Sequence, residues 1–60
     1  MMLLELLDLT VCESVQIKQS GKVLYSGRTD AVPYRLIRHQ VIAFGFGELD
    51  EHFYGLIINV

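Results

Sequence analysis

The stretch Lys22–Leu36, KVLYSGRTDAVPYRL, decides how this chain is organised. Its first part reads as a strand, with Val23 and Tyr25 on one side and Leu24 on the other. Gly27 ends that strand. Asp30 is a helix-capping residue type, and Pro33 suits a first helical turn, where its missing N–H costs nothing. Val32 and Leu36 are four apart, and Ile37 extends the stripe. The spacing predicts a short helix over 31–38 that carries the chain from one pair of strands to the next.

Working outward, Ser14–Gln19 alternates, with Val15 and Ile17 on one side and Gln16 and Lys18 on the other. Ser20-Gly21 supplies two loop residues, so residues 14–26 read as a hairpin. Before it, Leu3, Leu6 and Leu7 share a helical face that Leu4 broadens, predicting a helix over 2–9. After the loop, residues 40–47 form a strand with Ile42, Phe44 and Phe46 on one face and Val41, Ala43 and Gly45 on the other. Both faces look apolar, so this strand is expected to be central or covered on both sides. A polar turn, Glu48–Glu51, leads to a last strand over 52–60. Tyr54, Leu56, Ile58 and Val60 lie on one of its faces, Phe53, Gly55, Ile57 and Asn59 on the other. The order is α-β-β-α-β-β. It implies an α+β fold: a four-stranded, mainly antiparallel sheet that is curled or backed by two short helices.

Sixty residues make a single small domain, 1–60, that buries only about 60% of its unfolded surface. One cysteine, Cys12, excludes an intramolecular disulfide, and no zinc-ligand spacing is present. Yet 52% of the residues are hydrophobic and mean hydropathy is +0.38. Two short helices cover one face of four strands, not two. The last strand also offers an apolar edge for pairing. These features predict a homo-oligomer built through the sheet, with Phe44, Phe46, Phe53, Tyr54 and Ile57 at the interface. The net charge of −2 lacks the basic field that holds a nucleic-acid backbone. The Leu-rich start has acids and no basic segment, which argues against a signal peptide, and no apolar run reaches a membrane-spanning length. With the lone thiol, this predicts a cytoplasmic protein.

Catalytic chemistry finds no foothold. Gly45, Gly47 and Gly55 do not open a helix as a phosphate loop does. Cys12 lies between apolar Val11 and acidic Glu13, which reads as a structural thiol and not as a nucleophile. His39 and His52 lie on different elements, and Asp50-Glu51-His52 reads as a polar turn before it reads as a metal site. We expect no enzyme, no metal and no cofactor. One constellation suggests a ligand: Arg28, Arg35 and Arg38 with Tyr25 and Tyr34. Arginine forks fit phosphates and tyrosine rings stack on bases, so a nucleotide signal held by an oligomer is one reading. The other is a solvated joint whose arginines meet Asp30 or Glu48.

The pieces Leu3–Leu9, Ser20-Gly21, Leu24-Tyr25-Ser26-Gly27, Ala31-Val32-Pro33 and Val41-Ile42 together resemble a group of very short phage and prophage proteins of Gram-positive bacteria. Those begin with a Leu-rich helix and continue through a strand, a Gly turn, a strand ending in Gly, a helix start at Pro and a Val-Ile strand. The tail FGFGELDEHFYG is more aromatic than that pattern. The group has no settled activity, so no functional residue carries over. The resemblance implies a phage accessory protein that binds a host protein, including as an inhibitor of host defence. The alternative from the residues themselves is the oligomeric small-ligand binder.

Overall fold

The structure, a computed structural model, describes residues 1–60. It consists of helix α1 (Leu3–Leu9), strands β1 (Ser14–Gln19) and β2 (Lys22–Arg28), two single 3-10 turns (Thr29–Ala31 and Tyr34–Leu36), and strands β3 (Ala43–Asp50) and β4 (Phe53–Asn59). The α+β class and both hairpins are as the sequence predicts. The sheet is mixed, with spatial order β2-β1-β4-β3. Each hairpin is antiparallel, and the two meet at its centre where β1 and β4 run parallel.

Local chemistry sets the first hairpin. Ser20 and Gly21 both have positive φ, 52° and 81°, the pattern of a two-residue turn whose twist matches the strands. Between Ile17 and Lys18 the register shifts, so that Ile17 faces Tyr25 while Lys18 faces Val23. This bulge leaves Leu24 without a partner, and both Leu24 and Tyr25 pack against the core.

The expected helix over 31–38 does not form. Val32 precedes a proline, which disfavours its α region, and it is extended at φ −60°, ψ 129°. Pro33 is extended too, at ψ 137°. The chain therefore makes one tight turn on each side of Val32-Pro33. Asp30 lies inside the first turn, and no side chain caps it. This connection takes the chain from one edge of the sheet to the other, and on the way it buries Leu36.

One face of the sheet holds the core. Val15, Ile17, Leu56, Ile58 and Val60 pack there with Leu3 and Leu6 of α1 and with Leu36. The start of α1 is tied to the connection: Leu3 N–H donates to the His39 carbonyl at 2.8 Å and Leu4 N–H to that of Ile37 at 2.9 Å. These carbonyls satisfy donors that a helix N-terminus otherwise leaves open, and Glu5 Oε1 accepts from Met2 N–H at 2.9 Å.

Two further expectations are corrected. The last strand is not an edge: β4 lies between β1 and β3. The strand expected over 40–47 starts later, at Ala43, and it is the edge, exposed along most of its length. Gly55 permits this order. A Cβ there would collide with the Ser14 carbonyl oxygen and come within 2.7 Å of Leu49 Cδ1. Only a glycine lets β4 lie this close to the start of β1.

Two stability predictions follow from this packing. Ile58 and Ile17 are fully buried. Ile58→Val should cost about 0.5–1.5 kcal/mol, whereas Ile17→Ala should cost about 2–5 kcal/mol and leave so small a domain largely unfolded at room temperature. Gly55→Ala should also unfold it, whereas Gly45→Ala, whose Cβ meets nothing within 4 Å, should not. Thermal melts followed by circular dichroism distinguish the four variants.

Candidate functional site

The surplus of apolar residues gathers at the β3 edge. In the β3–β4 register Phe44 faces Ile58, Phe46 faces Leu56 and Glu48 faces Tyr54. Side chains of directly paired residues share a face. Phe44, Phe46 and Tyr54 therefore lie on the core side of the sheet, but beyond the cover of α1. They are 55%, 68% and 64% exposed, and Ile42 beside them is 78% exposed. Phe46 and Tyr54 stack with centroids 6.3 Å apart and planes within 6° of parallel. The result is a continuous apolar margin running outward from the core.

The five interface residues named from sequence thus separate. Phe44, Phe46 and Tyr54 form this margin. Phe53 and Ile57 lie on the opposite face. Ile57 is half-buried, its Cδ1 3.0 Å from where a Cβ on Gly47 would stand. Around it that face carries Gln16, Lys18, Ser26, Gly45, Gly47 and Asn59, polar or without a side chain, and toward the β2 edge the exposed Val23. The spare face needs less cover than its hydrophobic count suggested.

The two sheet edges differ. β2 begins at Lys22, ends at Arg28 and is interrupted by its bulge, three features that discourage a further strand. From Ala43 to Gly47, β3 has no charge, no proline and no bulge; its irregularity comes only between Glu48 and Asp50. Alternate residues of an edge strand direct their N–H and C=O groups away from the sheet. Along Ala43–Gly47 nothing in the fold occupies them.

The arginine–tyrosine constellation does not close into one site. Arg28 clamps Asp30 with both nitrogens, Nε to Oδ1 and Nη2 to Oδ2, each at 3.0 Å. That hydrogen bond raises the Arg28 pKa and lowers that of Asp30 below the ordinary carboxylate value. The Tyr25 hydroxyl donates to the Arg28 carbonyl at 2.7 Å. Arg28 and Tyr34 border an open groove of about 570 Å³ between α1, the loop after it and the two 3-10 turns. Tyr25, Arg35 and Arg38 are not among its walls. Leu4, Leu7, Val11, Val32 and Ile37 make the groove apolar, and Asp8, Glu13 and Asp30 make its rim acidic. Cys12 also borders it, fixed by the Thr29 hydroxyl donating to its carbonyl at 2.7 Å. Sequence reasoning missed this groove. Its walls come from two segments far apart in the chain, and only the exposed Leu4 and Val11 signalled it.

At the β3–β4 turn, Asp50 Oδ1 accepts from His52 N–H at 2.9 Å, so that carboxylate stabilises the turn itself. No three histidine, cysteine, aspartate or glutamate side chains converge as a metal cluster, and no helix is long and apolar enough to cross a membrane. Comparison with protein-family models, curated proteins and solved structures returns no match.

The Arg28–Asp30 pair is fully exposed, where ion pairs add little stability. Because the Asp30 pKa is lowered on folding, whatever the pair contributes is present above the carboxylate range and is lost as pH falls through it. Asp30→Asn should leave the melting temperature at neutral pH almost unchanged. A drop comparable to that of Ile58→Val would show that the clamp holds the loop in place.

Proposed function

We propose that the protein is a non-enzymatic binding protein that engages another protein by accepting an extended segment on the β3 edge. The carrying observation is the pairing of an open strand edge with an apolar margin beside it. Backbone groups of β3 supply hydrogen bonds without regard to sequence; Phe44, Phe46 and Tyr54 give the contact its apolar area. Aromatic side chains of this kind are the anchors that dominate protein interfaces. The resemblance of the sequence to short phage and prophage proteins supplies the setting, in which the partner is a host protein and inhibition of a defence system is one outcome.

The small-ligand reading is the weaker one. A nucleotide brings negative charge to a groove whose rim carries three carboxylates and one arginine already neutralised by Asp30. Arg35 and Arg38, which would have to offset that repulsion, lie outside its walls.

The test is capture from host lysate with three chains: wild type, Phe46→Lys and Val11→Lys. Both positions are exposed, so both variants should keep the wild-type circular dichroism spectrum. A specific partner retained by wild type and Val11→Lys but lost from Phe46→Lys is the expected result. Loss from Val11→Lys alone would move the site to the groove and remove the proposal. Titration calorimetry with cyclic and linear nucleotides should give flat traces.

A further inference from the structure

We infer that, until a partner strand displaces it, the segment seated on the β3 edge is β3 of a second copy of this chain, paired antiparallel about Gly45. This rests on the strand-addition reading above and commits the edge of the unpartnered protein to one occupant. Three features of the edge support self-pairing.

Charge comes first. Along the edge the acids stand at one end, Glu48 and Asp50, while Arg38 precedes the other. A parallel pair would set Glu48 beside the partner's Glu48 and Asp50 beside the partner's Asp50. An antiparallel pair about Gly45 sets Glu48 and Asp50 opposite uncharged positions 42 and 40 of the partner. The edge therefore repels itself in the parallel direction and brings no like charges together in the antiparallel one.

Shape comes second. Gly45 is the midpoint of the uncharged run, and a Cβ there would meet nothing within 4 Å. Centring on it places Phe44 opposite the partner's Phe46, and the reverse. Within one chain Phe46 pairs with Leu56 and Phe44 with Ile58, both core residues. The pairing thus makes one apolar row from Leu56 through Phe46 to the partner's Phe44 and the partner's Ile58. It joins the two cores through the exposed margins, on the side of the sheet that both helices occupy.

Area comes third. A stable interface covers roughly 800 Å² on each partner, which is about a fifth of the 4167 Å² that this chain exposes. A strand edge alone is too narrow for that. With Ile42, Phe44, Phe46 and Tyr54 beside it, each more than half exposed, the margin offers apolar surface where that area is needed. The β2 edge, with its bulge and terminal charges, offers neither.

The experiment uses the whole chain with Cys12→Ser, to which Gly45→Cys or Ala43→Cys is added singly. Both positions lie on the same face of β3. About Gly45, position 45 meets its own mate across the two-fold axis, whereas position 43 meets the partner's Gly47. Light scattering at micromolar concentration should give twice 6.8 kDa for the parent chain, and Phe46→Lys should lower it to 6.8 kDa. Mild oxidation should link Gly45→Cys at least about tenfold faster than Ala43→Cys, because a disulfide needs Cα atoms within about 7 Å. A parent chain of 6.8 kDa, or equal linking at both positions, overturns the self-pairing. That result does not decide the wider reading: strand addition by a different protein stands or falls on the Phe46→Lys capture.

Discussion

Everything in this fold is arranged around the parallel contact of β1 with β4. Val15 lies beside Leu56 and Ile17 beside Ile58, and all four are buried. Neither hairpin has a core by itself; each supplies half of one. The contact depends on a close approach at Gly55, where the Ser14 backbone stands in the place of a side chain. Once the two strands meet, their common face needs a lid. Leu3 and Leu6 from α1 and Leu36 from the connection provide it. That lid spans the middle of the sheet and stops short of β3. The position of the exposed aromatic residues is thus a consequence of how little chain is available to cover four strands.

Much of this was legible in the sequence because much of it is local. The leucine spacing of α1, the alternation of β1, the Ser20-Gly21 turn and the polar turn before β4 are decided by neighbours a few positions apart. What was not legible is set by distant neighbours. Residues 40–47 are apolar on both faces, which reads as burial. The structure shows one margin beside the core and one face with no side chains larger than a methyl at Ala43, Gly45 and Gly47. Composition alone does not separate a covered strand from an edge of this kind. Val32-Pro33 carried a signal in both directions: a proline opens a helix, but it also holds the residue before it extended. Here the second effect prevails, because Val32 stands inside the segment that the helix would have needed.

The arginine–tyrosine group shows the same limit for function. Proximity in sequence gathered five residues, yet the fold engages Arg28 with Asp30 and Tyr25 with a backbone carbonyl. It leaves Arg35 and Arg38 outside the one groove that Arg28 and Tyr34 reach. The aromatic residues of the tail were legible as surplus, and their two-sided distribution was legible too. Which of them form a surface depended on strand order, and that order requires a close approach at a glycine that could equally have marked a bend.

The connection across the core also has a kinetic side. Each hairpin closes over a few residues, which is fast. The central ladder joins positions as far apart as Val15 and Leu56, and closing a loop of that length carries a larger entropy cost. Until β4 docks, Val15 and Ile17 have only β2 beside them, and α1 has no floor to rest on. This topology predicts that the hairpins form before the central ladder, and that most of the core is buried only when β4 docks on β1.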